Sequence, residues 1–149
     1  MRTIKFRGKD IETGEWISGD LIQRLGFYPA ILTIYPTVEG KVGYAERAVN
    51  QETIGQFISL YDKNKNEIYE GDILKVPGTR EKIEVRFVRG VFAFLWNGNL
   101  DDEAPINAPT QEWAEVIGNI HDNPKLLKRK NNETVHRNTY QRSERADNA

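Results

Sequence analysis

Residues 58–76 read Ile58-Ser59-Leu60-Tyr61-Asp62-Lys63-Asn64-Lys65-Asn66-Glu67-Ile68-Tyr69-Glu70-Gly71-Asp72-Ile73-Leu74-Lys75-Val76, and they decide the fold. The polar run Asp62 to Asn66 interrupts two apolar stretches. Asp and Asn side chains bond nearby backbone amides, so this run is read as a turn. Glu70-Gly71-Asp72 is a second turn, which launches a strand over Ile73 to Val76. Gly71 supplies a permissive backbone there, and Asp72 is read as a turn-bonding carboxylate in preference to a catalytic one. The block therefore describes a joint in an all-β chain.

Working outward, the same strand-and-turn grammar continues. Thr3 to Arg7 alternates apolar and polar residues, as a half-buried strand does, and Glu15 to Ile22 reads as its return strand. Trp16 on that return strand is read as a packing residue. Phe27 to Pro36 is an apolar segment bracketed by Pro29 and Pro36, so its strand lies between them. Short strands are expected around Lys41 to Ala45 and Ala48-Val49. One helical turn at Asn50 to Glu52 then leads into a strand ending near Leu60. Beyond Val76, Ile83, Val85 and Phe87 alternate with polar partners. Arg89-Gly90 reads as a two-residue hairpin turn into Val91 to Trp96, and Asn97-Gly98 is a strong turn signal. Asn99 to Thr110 reads as a loop, Trp113 to Ile120 as the last strand, and Lys125 to Leu127 as a helical turn.

The chain has 149 residues, 38% hydrophobic and 29% charged, enough for one domain or two closely packed small ones. No apolar run approaches the roughly 20 residues a membrane helix needs, and the first residues lack the apolar core of a signal peptide. There are no cysteines, which excludes disulfides and thiolate metal sites. These features predict a cytoplasmic protein with no membrane association. Charge is uneven: residues 125–149 hold seven Lys/Arg against three Asp/Glu, while the rest hold 14 against 19. The body is acidic and the tail basic, so Lys128, Arg129, Lys130, Arg137, Arg142 and Arg145 are candidate contacts to a nucleic acid or an acidic partner. Composition marks the tail from Lys128 as disordered, with a helix over about Glu133 to Arg145 as its ordered form.

Chemistry is absent from the sequence. There is no phosphate-binding glycine loop, no nucleophile elbow and no paired carboxylate placed in a cleft. His121-Asp122 near the acidic run Asp101-Asp102-Glu103 could ligate a metal in principle, but that run is more simply a solvated surface. Phe92, Phe94 and Trp96 share one strand face, as the stacking residues of single-strand-binding barrels do, yet few basic residues interleave with them and they are read as core. No catalytic, cofactor-binding or metal-binding residue is assigned. Gly55, Gly71, Asp72 and Gly118 receive backbone-shaping roles.

Four segments resemble the YopX family of phage and prophage proteins. They are Ile4-Lys5-Phe6-Arg7-Gly8; Thr53-Ile54-Gly55-Gln56-Phe57; Leu60-Tyr61-Asp62-Lys63-Asn64 with Glu67-Ile68-Tyr69-Glu70-Gly71-Asp72-Ile73-Leu74; and Glu115-Val116-Ile117-Gly118-Asn119-Ile120 running to Asn123-Pro124. The resemblance implies a phage-derived, β-rich protein whose C-terminal half resembles an SH3-like barrel, and it brings no activity with it. Together these readings predict a mainly-β protein. An irregular N-terminal β subdomain (1–60) packs on an SH3-like barrel (61–124), followed by a basic tail (125–149). The expected role is a non-enzymatic protein-interaction module, homo-oligomeric and bound to an unidentified protein. A nucleic-acid-binding module using the tail and a barrel edge is the alternative.

Overall fold

The computed structural model describes residues 1–106 and 109–127. It is mainly β, with eleven strands in two sheets among the described residues, antiparallel throughout. The first sheet holds β1 (Phe6–Lys9), β2 (Trp16–Ile22), β3 (Ala30–Pro36), β4 (Val42–Ala48), β5 (Gly55–Tyr61) and β6 (Glu67–Tyr69). Their order is β4-β3-β2-β1-β5-β6. The second holds β7 (Asp72–Lys75), β8 (Lys82–Val88), β9 (Val91–Trp96), β10 (Glu103–Pro105) and β11 (Glu115–Asn119), ordered β10-β9-β8-β7-β11. A single helical turn, α1 (Thr110–Trp113), precedes β11, and 3-10 turns cover Gln51–Thr53, Leu100–Asp102 and Pro124–Leu127.

The tight turns follow from residues that tolerate a left-handed backbone. Arg89 and Gly90 both have positive φ (49° and 83°), as do Asn97 and Gly98 (51° and 72°). At Arg89-Gly90 this closes the two-residue hairpin between β8 and β9, whereas Asn97-Gly98 begins a longer connection from β9 to β10. The core gathers Ile58, Ile68, Leu74, Ile83, Val85, Phe94 and Ala114. Ile58 and Ile68 stand on β5 and β6 of the first sheet, so the two sheets share one apolar centre.

Two expectations shift. The second sheet is open, with β10 and β11 at opposite edges, and does not close into a barrel. The passage between sheets falls at Glu70-Gly71, between β6, which pairs with β5, and β7 of the second sheet. The span read as a loop from Asn99 contains β10 and a 3-10 turn, and the last strand is preceded by α1. The predicted helix over Glu133 to Arg145 lies outside the described residues. Among the described residues no helix is long and apolar enough to cross a membrane.

Candidate functional site: an exposed hairpin and the joint behind it

β3 starts in the core and ends in solvent. Ala30 and Ile31 are buried, Leu32 and Thr33 half-buried, and Ile34, Tyr35 and Pro36 exposed. Because side chains directly opposite in an antiparallel pair share a face, Ile34 stands beside Tyr44 and Pro36 beside Val42. Ile34, Val42 and Tyr44 are 62%, 58% and 64% exposed. Tyr35 lies on the other face, folded over Gly43, where a Cβ would come within 2.6 Å of its ring. With Leu25, Phe27, Tyr28 and Val38, eight of the fifteen large exposed hydrophobics among the described residues lie between residues 25 and 44. Single exposed apolar residues are ordinary on a protein surface; Ile34, Pro36, Val42 and Tyr44 instead share one face of the hairpin.

The hairpin also presents a free edge. Thr37 N donates to Lys41 O (2.8 Å) and Val49 N to Pro29 O (2.9 Å), so the odd-numbered residues of β4 turn their backbone groups toward β3. The even-numbered ones turn outward. Of these, Ala48 is covered, since its carbonyl accepts from Ile11 N (3.0 Å). Val42, Tyr44 and Glu46 face an edge that no other strand occupies among the described residues.

Behind the hairpin, the joint between sheets is tied by charge. Arg7 on β1 donates from Nη2 to Asp72 Oδ1 (2.6 Å), and its guanidinium lies 4.6 Å from the Trp16 ring and 4.8 Å from the Tyr69 ring. The other Asp72 oxygen accepts from Tyr69 N (2.8 Å), closing the Tyr69–Asp72 turn. Burial raises the Asp72 carboxyl above its ordinary value, against the pull of Arg7. Gly71, at φ +90°, donates to Val85 O (2.7 Å) and accepts from Ile120 N (2.9 Å). Trp16 donates its indole N–H to Asp122 Oδ2 (2.6 Å), and Lys9 pairs with the same carboxylate.

His121 therefore sits against Trp16, with ring centroids 5.8 Å apart, and not in an acidic metal site with Asp101 to Glu103. Among the described residues no three His, Asp or Glu side chains converge as a metal would require. Burial, then Arg7, pushes the His121 imidazole below its ordinary 6.5; Lys9 adds to this, while Asp122 and Glu52 oppose it. An imidazole lowered by folding gives the unfolded chain the extra proton, so stability falls as pH drops below about 6.5. Denaturant midpoints measured from pH 7 to about 5 are expected to fall more steeply for the wild type than for His121→Gln. Parallel slopes would contradict this placement of the imidazole.

Of the backbone-shaping residues, Gly71 has the positive φ, but Gly55 has the tighter surroundings: a Cβ there would lie 2.5 Å from the Glu70 carbonyl oxygen. Gly55→Ala is expected to cost about 1–3 kcal/mol, as overpacking against backbone does. Gly71→Ala costs about 1–2 kcal/mol from the left-handed conformation alone. Urea unfolding of the two variants checks both. Gly118 marks a bulge in β11, packed against the Asn123 side chain.

Two cavities open among the described residues. An apolar one of about 270 Å³ is lined by Val76, Ile83, Phe94, Trp96, Pro105 and Trp113. Phe94 is buried in the core, with Phe92 and Trp96 packed against it. An open cleft of about 920 Å³ runs past Lys9, Asp10, Tyr28, Asn50 and Glu52, where Asp10 is already paired with Arg47. Neither brings a nucleophile and a base together. The candidate contacts Lys128, Arg129, Lys130, Arg137, Arg142 and Arg145 lie outside the described residues.

With this geometry in place, comparison with known proteins is informative about family and fold. The family model described as YopX protein matches residues 5–128. No curated protein matches. Among solved structures, the crystal structure of protein EF1440 from Enterococcus faecalis is similar at a TM-score of 0.51 and 24% identity, covering 86% of this chain and 100% of that one.

Proposed function

The chain belongs to the YopX family, and from that premise we propose that it is a non-enzymatic protein-interaction module whose working surface is the β3–β4 hairpin. A phage or prophage origin and a cytoplasmic setting complete the proposal. The observation that carries it is the row Ile34, Pro36, Val42 and Tyr44, apolar and exposed beside an open strand edge. Surface of this kind is costly to leave in water and is used for protein contact. The polar groups of the joint are committed to one another: Arg7 to Asp72, Lys9 and Trp16 to Asp122, Lys5 and Tyr69 to Glu67. They are accounted for by holding β1 and β2 against the Tyr69–Asp72 turn.

Ile34→Glu tests the reading. The side chain is exposed, so the thermal midpoint is expected to stay within the change that about 0.5 kcal/mol produces. Association of the purified protein with its binding partner, itself or another, is expected to be lost. A hydrolase or transferase activity that disappears with one polar cluster would overturn the proposal. The nucleic-acid alternative rests on the basic tail. Deleting residues 128–149 would then weaken binding to single-stranded DNA and flatten its salt dependence.

A further inference from the structure

We propose that the partner seated on the hairpin is a second copy of the chain, joined edge to edge through β4. This rests on the reading of the hairpin as the interaction face and names its occupant.

The open edge is short and has a centre. Ile11 N closes the Ala48 carbonyl, and the turn after Pro36 ends the strand at the other side, leaving the outward groups of Val42, Tyr44 and Glu46. An antiparallel partner related by a two-fold axis must pair residues of the same face, so the axis passes through a residue or between two that differ by an even number. Placing it at Tyr44 sets Tyr44 against Tyr44 of the other copy and Val42 against Glu46. Every outward N–H and C=O of these three residues then finds a partner on both strands, and both six-stranded sheets become one. Moving the axis one residue toward Ala48 sets Val42 against the carbonyl already taken by Ile11. The side chains agree with the central register. The two tyrosines form an aromatic cross-strand pair, flanked by Ile34 on each side.

Charge is compatible too. Glu46 is held by Arg24, and Arg47 by Asp10 (2.7 Å) with Lys41 beside Glu39 (3.0 Å), so each copy brings compensated charges to the contact. Val42, Gly43, Tyr44 and Ala45 carry no proline and no charge, and the charges that follow on β4, Glu46 and Arg47, are each paired within the same copy. Three paired residues and one apolar row make a small interface, of the class that associates in the micromolar range.

Light scattering of the full chain across the micromolar range is expected to show a monomer passing to a dimer. Tyr44→Lys, which sets two ammonium groups opposite each other at the axis, weakens the dimer about 100-fold. Val42→Pro removes only an outward-facing N–H, keeps the β3–β4 ladder, and also yields monomer. Because the chain has no cysteine, Tyr44→Cys oxidises to a covalent dimer, whereas Lys65→Cys on a distant turn does not. Monomer at every concentration overturns the proposal, as does a dimer indifferent to both edge variants. If the wild type stays monomeric while a cross-linker at Ile34 captures a foreign protein, this occupant is wrong and the interaction face survives. If neither is seen, both fall.

Discussion

Arg7→Met lowers the unfolding free energy by about 3–5 kcal/mol, the cost typical of leaving one member of a buried ion pair without the other. The Arg7 and Asp72 side chains are 14% and 2% exposed. Asp72 keeps one bond, from Tyr69 N, and loses the charge that offsets its burial. At roughly 2–4 °C per kcal/mol for a chain of this size, the midpoint falls by about 6–20 °C. The double variant Arg7→Met, Asp72→Leu is expected to recover much of the loss, since apolar packing can replace a buried pair at little cost. A double-mutant cycle by urea unfolding checks both statements. If Arg7→Met alone is neutral, the joint is not what fixes β1 to the Gly71 turn.

Asp62→Ala follows at about 2–4 kcal/mol. Asp62 is 1% exposed and gathers four bonds: Asn64 N (2.9 Å), Asn66 N (2.8 Å), Asn66 Nδ2 (3.2 Å) and, across the molecule, Val116 N (3.0 Å). Burial works against its charge, but the amides of Val116, Asn66 and Asn64 more than offset that and hold the carboxyl below its ordinary value. Removing the acceptor strands several donors at once. Water can reach Asn64 and Asn66, which are exposed, but Val116 N is less accessible, so most of the cost of about 1–3 kcal/mol per buried unpaired donor falls there. Hydrogen exchange at the Val116 amide should quicken far more than at Leu74, its neighbour on β7. Equal protection at the two amides in the variant would contradict this account.

Much of the β architecture was legible because turns are chemically explicit. Arg89-Gly90 and Asn97-Gly98 require positive φ and announce it, and Asp62 to Asn66 announces its own side-chain bonding. Ser59 does not: its φ of 64° makes the bulge between Phe57 and Tyr61, and nothing about a serine signals that. The sheet boundary is hidden for a related reason. Ile58 and Ile68 look like core residues in either sheet, and only the β5–β6 pairing assigns them. Arg7 and Asp72 meet across 65 positions, with no local pattern to betray the contact.

The hairpin was harder still. Ile34, Tyr35 and Pro36 belong to an apolar run, and an apolar run reads as core. Only the path of β3 out of the core exposes it. Pro29 and Pro36 bound the strand, but they do not show that its end leaves the core. Glycine packing was visible only in three dimensions: Gly19, unremarked in the sequence, would place a Cβ 2.0 Å from the Leu32 carbonyl oxygen.

Whether this protein acts by contact through the β3–β4 hairpin is tested by a photo-reactive benzoyl-phenylalanine at position 34, irradiated in the cell that makes the protein. A defined covalent adduct is expected from position 34, to a second copy or to one partner, and none from the same probe at Lys65, an exposed turn residue away from the face. Adducts equally frequent at both positions, or absent at position 34 in folded protein, contradict contact through the hairpin.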